Sequence, residues 1–472
     1  MILLAGALAQ TTLTLDGTVT EGGSEFVLVP FDVPAGTAEI AVSHASLTGS
    51  VLDWGLSGPD GAMHGWGGGN GEDAWITATA ASRSYLPGVE VGTWNVVIGK
   101  ARLEQADNPY TLSVTLHETA VHTDAQPREP WAEPAPIEVG ARWYAGDFHV
   151  HSRESGDAAA TFDQIADLAR ERGLDFVVIT DHNTTSTLDL LVDAQRRNPD
   201  VLFVPGMEYT TYHGHMNAIG NTALLDHRLG VGDATVDRAI DDVHGVGGLV
   251  SINHPELDLG GLCIGCAWEH DVDTASLDGV EIQTGGLLPV GGLFSDASIA
   301  FWESMTSASH MPAALGGSDD HKAGIDLGFQ GSPIGDPTTL VWAESLSVQG
   351  ILDGVRAGRT VVKLQGPADP MVELVATDVG FEATVTGTAS FVRFVVDGEP
   401  QVLEPVTSDP FTHAITLQPM GQVVRAEALI GGDRHTVTSH VLNARAIPPE
   451  EEGKCGCAAT VPSAPWALLS RR

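Results

Sequence analysis

Hydrophobic and polar positions change rhythm three times along the chain. From residue 11 to about 120, short β-branched or apolar runs (Thr12-Leu13-Thr14-Leu15, Phe26-Val27-Leu28-Val29, Ala38-Glu39-Ile40-Ala41-Val42, Trp94-Asn95-Val96-Val97-Ile98) alternate with Gly, Pro and Asp turns. That spacing predicts a β-sandwich. A Pro- and Glu-rich stretch from Asp124 to Pro136 then predicts an extended linker, because Pro removes backbone donors. Between Trp143 and Leu364 strands are expected at 147–151, 176–180, 202–205, 249–253, 279–283 and 313–316, with helical periodicity between them. In 161–173, Phe162, Ile165, Ala166 and Ala169 share one face and Gly173 supplies the stop; Ser186, and Asp233 or Thr235, open further helices. Repeated strand–helix units with polar residues just past the strand ends predict an α/β barrel whose active face lies at the carboxyl ends of its strands. After Gly366-Pro367 the pattern returns to β (Met371–Ala376, Phe391–Val396, Ala414–Leu417, His435–Thr438), which predicts a second, small sandwich.

Length and charge narrow the class. At 472 residues the chain exceeds what one core supports. The expected division is 1–9 as a signal remnant, 10–122 as a sandwich, 123–140 as linker, 141–366 as the barrel, 367–446 as a small sandwich and 447–472 as a tail. With 62 acidic against 23 basic residues and a net charge of -39, a nucleic-acid polymer is excluded as partner, since phosphate contacts need Lys and Arg. Nothing approaches the ~18 continuous apolar residues of a membrane span. Met1 to Gln10 has the apolar run and Ala7-Leu8-Ala9 ending of a clipped secretory signal, without a basic start; the alternative is an ordinary apolar first strand. Export is the expectation, with the periplasm, the cell surface or the medium as destination. Cys263/Cys266, in a Gly-rich loop after His254, then reads as a local disulfide, with free thiols as the alternative; Cys455/Cys457 forms a second local pair.

Four segments, each ending a hydrophobic run, carry metal-type donors: Asp147-Phe148-His149-Val150-His151, Thr180-Asp181-His182-Asn183, Asn253-His254-Pro255 and Ser318-Asp319-Asp320-His321. Imidazole and carboxylate suit intermediate divalent metals, and a His-x-His pair on a strand places both rings on one face. Together with Gly206-Met207-Glu208-Tyr209 and Gly214-His215-Met216-Asn217, these blocks make the region 142–366 resemble the polymerase-and-histidinol-phosphatase (PHP) superfamily of metal-dependent phosphoesterases, and within it the CehA/McbA-type hydrolases. Leu86 to Trp94 loosely resembles the closing hairpin of the pre-peptidase C-terminal type of jelly roll, and the tail's order resembles a myxobacterial sorting signal, a disordered tail being the alternative.

The PHP resemblance implies a distorted (β/α)7 barrel between two β-sandwiches and a centre of two or three divalent ions, Mn, Zn or Fe. One ion takes His149, His151 and Asp319; Glu208 bridges to a second, completed by His215 and His254, with His213 as the alternative to His215. A third is held by His182 and His321 with help from Asp157. Here the sequence departs from the family: His-Thr-x-x-Ser-Asp-Gly has become His151-Ser152-Arg153-Glu154-Ser155-Gly156-Asp157, with acid and glycine exchanged. Asp181 either orients a ligating His or caps the following helix. Arg153 and Lys322 are candidate clamps for an anionic oxygen or ordinary solvated charges. Arg356 and Arg359 complement a helix end.

The implied activity is phosphoester hydrolysis by a metal-bound hydroxide at ions ~3.5–4 Å apart, with His182 or His321, where free of metal, protonating the leaving group of a small anionic ester. Carboxylic ester or aryl carbamate hydrolysis is the alternative, to be recognised by an apolar, aromatic lining to which Trp268, Trp302, Phe294 or Tyr212 would contribute. The alternative of another class is a surface protein that binds glycan or protein around a metal without turnover.

Overall fold

A computed structural model describes residues 10–45, 49–123, 126–285, 294–325, 332–416 and 420–444. The leader at 1–9, Leu417 and the tail with Cys455/Cys457 lie outside the described residues.

The first region is a sandwich. Strands β1 (Gln10–Thr20), β2 (Phe26–Val33), β3 (Glu39–His44), β4 (Val51–Ser57), β5 (Met63–Gly68), β6 (Ala74–Thr77), β7 (Gly92–Arg102) and β8 (Asp107–His117) form two antiparallel sheets, ordered β1-β8-β3-β6 and β2-β7-β4-β5. Alternating apolar positions of both sheets, among them Ile40, Ile76, Leu112 and Val114 against Val29, Phe31, Trp54 and Trp94, share one core. Residues 86–91 are not part of a strand, so the expected closing hairpin is replaced by a loop leading into β7.

The central region is built on β9 (Glu138–Val150), α1 (Phe162–Glu171), β10 (Phe176–Ile179), α2 (Leu188–Arg197), β11 (Leu202–Thr211), β12 (Gly214–Ile219), α3 (Val236–Gly245), β13 (Leu249–Ile252), β14 (Gly279–Thr284), α4 (Ser295–Met305), β15 (Ala313–Gly317), β16 (Thr338–Leu346), α5 (Val348–Arg356) and β17 (Thr360–Lys363). Two helices begin where expected: Thr161 forms a capping box with Gln164, and Thr235 caps α3; α2 instead follows Thr187, one residue past Ser186, with no side-chain cap. Phe162, Ile165, Ala166 and Ala169 are buried, and Gly173 takes φ +72° after the helix.

A (β/α)7 barrel of alternating units is not what this region forms. Strands β9, β10 and β11 are parallel, but β12 runs antiparallel to both β11 and β13, because the turn after Thr211 is too short for a helical crossover; β13, β14 and β15 are then parallel again. The row nevertheless curls back on itself. Past β15, the Asp319 N–H donates to His149 O (2.9 Å) and the His151 N–H to Asp320 O (3.0 Å), joining the last strand's carboxyl end to the first's. On its other side β9 pairs antiparallel with β16.

The third region continues the same sheet through β17 into β24 (Asp433–Thr438). Here β18 (Met371–Ala376), β19 (Gly380–Thr386) and β22 (Phe411–Thr416) pack against β20 (Phe391–Val396), β21 (Glu399–Pro405), β23 (Val423–Ile430) and β24, with Val372, Phe381 and Val385 meeting Val392, Phe394 and Ala426. β25 (Val441–Leu442) pairs with β23. No helix among the described residues is long and apolar enough to cross a membrane.

Candidate metal centre

The expected ligands converge on one rim of the central region. His149 and His151 come from the end of β9, His182 follows β10, Glu208 stands on β11, His254 follows β13, and Asp319 and His321 follow β15. His215 joins them because β12 is antiparallel: its start lies where its parallel neighbours end, with Glu208 opposite Asn217 and Thr210 opposite His215. His254 (φ +27°) and Asp319 (φ +57°) hold left-handed conformations that side chains rarely adopt, strain of the kind concentrated at functional sites.

The separations are those of ligands around shared points. His149 Nε2 and His151 Nε2 are 3.1 Å apart. They lie 3.3 and 3.1 Å from Asp319 Oδ1, and 3.4 and 3.5 Å from the oxygens of Glu208. Two donors bound ~2.1 Å from one ion at 90–109° stand about 3.0–3.4 Å apart. Glu208 Oε1 also lies 3.1 Å from His215 Nδ1 and 3.3 Å from His254 Nε2, so one carboxylate faces both sets. Asp157 Oδ2 lies 3.6 Å from His182 Nε2 and 3.5 Å from His321 Nε2; the exchanged acidic position therefore still meets the two rings expected beside it. Donor atoms of His151, His182 and His321 fall within 4.8 Å of one another, as do those of His149, His151, Glu208 and Asp319. Cys266 lies beside His215 and His254, but its sulfur is bonded to Cys263.

Neighbouring groups orient the rings. His149 Nδ1–H donates to Glu281 Oε1 (2.9 Å), His254 Nδ1–H to Cys266 O (3.0 Å) and His321 Nδ1–H to Asp319 O (2.8 Å). In each neutral ring the lone pair is thereby left on Nε2. Ser155 Oγ lies 2.8 Å from His151 Nδ1. Asp181 neither touches a ligating ring nor caps a helix by its backbone; it accepts from Ser152 N–H (2.8 Å) and Ser155 N–H (3.1 Å) and so fixes the turn that carries Ser155. Asp147 accepts from the backbone N–H groups of His149, Ser318 and Gly335, tying the first and last strand ends together.

Charge is balanced within the cluster. Burial pushes the Glu208 carboxyl up, but His149, His182 and His215 outweigh it and leave the group well below the usual range; Asp319 is lowered likewise by His149, His151 and His321. His151 is neutral, held at about 3 by burial and by the neighbouring His321 and His182. Burial pulls His182 down, yet Glu208 and Asp157 raise it well above the ordinary value. The buried His215 Nε2 makes no hydrogen bond, and Glu208 Oε2 faces His182 Nδ1 (2.7 Å) and His151 Nε2 (3.5 Å). An unsatisfied buried polar atom costs about 1–3 kcal/mol, and a cation satisfies a carboxylate oxygen and an imidazole lone pair alike. The residues present fit divalent ions.

Other expectations sort themselves. His213 points away, its Nε2 2.7 Å from Glu25 on the surface, which leaves His215 as the histidine of the cluster. A cleft of about 690 Å³ opens over the rim, with Lys322 at its edge; Lys322 is its sole Lys or Arg among the described residues, and Arg153 does not line it. Arg153 sits in the turn after β9, its N–H donating to Ala160 O (2.7 Å). Tyr212 lines the cleft together with Trp66, Val51, Leu262 and Ile264, whereas Trp268, Trp302 and Phe294 do not. Trp302 is buried instead, stacked on His440. Glu281, buried between His149 and the backbone N–H of His254 (3.0 Å), escaped the sequence reading; an acid between Val280 and Ile282 in an otherwise buried strand was its only signal.

These elements define a strand-rich α/β protein with a histidine–carboxylate centre at its strand ends. Among solved structures, the chain is similar to a two-domain protein of Bacteroides vulgatus containing a predicted PHP-like metal-dependent phosphoesterase, at 20% identity over 67% of this chain and 100% of that one, TM-score 0.38. A Bifidobacterium adolescentis protein named for metal-dependent phosphoesterase activity matches at 17% identity over 47% of this chain and 97% of that one, TM-score 0.28. An amidohydrolase of Chromobacterium violaceum matches at 18% identity over 38% of this chain and 88% of that one, TM-score 0.26. No family model and no curated protein matches the chain.

Proposed function

We propose that this protein is an exported metal-dependent hydrolase of small esters, with phosphoesters as the leading substrate class. The observation that carries the proposal is the convergence of Nε2 lone pairs and carboxylate oxygens at ligand–ligand spacing, with His215 Nε2 buried and without a hydrogen-bond partner. His149, His151 and Asp319 would hold one ion, Glu208, His215 and His254 another, and His182, His321 and Asp157 a third. Bound divalent ions supply Lewis acidity and lower the pKa of water toward neutrality. The chain's own share is orientation and proton handling. Glu281 and the Cys266 carbonyl hold His149 and His254 with Nε2 inward. His321, raised to about 9 against burial by Asp157, can deliver a proton to a leaving group at the cleft floor where no ion occupies it.

A second reading, aryl ester or carbamate hydrolysis, is favoured by one observation: among the described residues Lys322 is the single Lys or Arg of a cleft lined by Trp66, Tyr212, Val51, Leu262 and Ile264. Turnover of p-nitrophenyl phosphate, bis-p-nitrophenyl phosphate and naphthyl acetate with added Mn, Fe or Zn separates the two. Chelator is expected to abolish turnover, and Glu208→Ala to lose bound metal. A metal-free preparation with full activity overturns the proposal.

A further inference from the structure

The turn that carries Asp157 is held from outside the central region. The Arg83 guanidinium, on the loop between β6 and β7, donates through Nη2 to Gly156 O and through Nη1 to Ala158 O, both at 2.8 Å. These are the two carbonyls that flank Asp157. Its remaining edge is paired with both oxygens of Glu72 (2.8 and 2.9 Å), so the fork cannot swing away without losing that carboxylate. Next along the chain, Ser84 (φ +69°) donates its N–H to Glu154 Oε2 (3.1 Å) and its hydroxyl to Glu154 O (2.6 Å). Ser186 donates to the same Glu154 oxygen (2.8 Å), and Glu154 is buried.

The same contact accounts for the exchanged residues. A Cβ at position 156 would stand 2.1 Å from the carbonyl oxygen of Gly67 and 2.8 Å from Asn70 Nδ2, in the edge of the sandwich. No side chain fits there, so an acid cannot occupy the place the family pattern gives it. One residue later, Asp157 Oδ2 comes within 3.6 and 3.5 Å of His182 and His321.

Building on the metal-centre reading, we propose that the N-terminal sandwich is a structural part of the third metal position: Arg83 is a positioning residue that fixes Asp157, and the Gly67 edge requires glycine at 156. The sandwich is then no detachable accessory, and the acid–glycine exchange is its signature in the sequence.

The test is a count of ions in the full-length chain loaded with Mn(II) or Zn(II), by elemental analysis and competition with a chelating dye. Wild type is expected to hold three. Arg83→Ala is expected to weaken the loosest ion ~10–100-fold, the cost typical of losing an outer support, and Asp157→Asn, which removes a ligand's charge, at least as much, with the two tighter ions unmoved. The two retained ions and an unchanged circular dichroism spectrum separate this from unfolding. Arg83→Lys keeps the charge but cannot fork across two carbonyls, and is expected to fall between; it decides the matter should the alanine variant fail to fold. Three ions at wild-type affinity in both Arg83 variants, or a wild type that saturates at two, overturns the proposal. A wild type that binds none overturns the metal-centre reading as well.

Discussion

At the residue scale, the support behind a ligand is as informative as the ligand. Glu281 is the sharpest case: one oxygen takes the His149 Nδ1–H at 2.9 Å, and the other takes the His254 N–H at 3.0 Å and the Thr284 hydroxyl at 2.7 Å. It thus orients one ring and one strand end belonging to two different ions of the proposed centre. Glu281→Gln keeps the volume but replaces one acceptor oxygen by a donor, turning an N–H against either His149 or His254. Metal affinity is expected to fall ~10–100-fold, with the His149 set weakened most. A chelator-competition titration reads the change; unaltered affinity would mean Glu281 only fills the core. Most of the histidines were legible from the chain because they close apolar runs at strand ends; His215, at the start of β12, was marked instead by its Gly214-His215-Met216-Asn217 block. Glu281 was not, since an acid in an apolar strand declares its purpose only when its partner is known.

At the element scale, the parallel strands could be placed from their short apolar runs, and α1 from its 3.6-residue face and terminal glycine. The direction of β12 could not. Its run, Met216 to Ile219, looks like the parallel strands, and only the tight turn after Thr211 reverses it and carries His215 to the rim. Strands β16 and β17 were equally silent because their ladders depend on partners far away in sequence. Barrel-like closure, besides the two backbone hydrogen bonds past β15, involves a close approach. A Cβ on Gly317 would stand 2.2 Å from His149 Cβ and 2.7 Å from Glu281 Oε1, so β15 lies against the ligand strand with no room for a methyl group. Gly317→Ala is expected to destabilise by about 1–3 kcal/mol, as overpacking does. It should also weaken metal at the His149 set, because relief comes most directly by moving that ring. A urea titration with and without bound Zn(II) separates the effects: equal destabilisation in both would place the strain away from the ligands.

At the scale of the whole molecule, two buried histidines far apart give the fold a shared sensitivity to acid. His227 packs against Phe26 and Trp66 at the sandwich, with neither ring nitrogen hydrogen-bonded, and His440 stacks on Trp302 at the junction with the third region. Burial holds each ring at about 3. Because these values lie below the ordinary imidazole value, the unfolded chain takes up the protons first. The stability each neutral ring carries is therefore full above about pH 6.5 and is lost as pH falls toward 3, by about 2 kcal/mol at pH 5. The two sites lie in different regions, so their effects should add. His227→Phe keeps the aromatic contacts and removes the titration. Its urea midpoint is therefore expected to gain on wild type as pH is lowered from 7.5 to 5, and a double variant with His440→Phe to gain roughly twice as much. Metal binding through protonatable histidines weakens over the same range, so the comparison belongs in chelator, where only the fold responds. Parallel wild-type and variant curves across that interval would mean that the two rings are protonated in the folded protein.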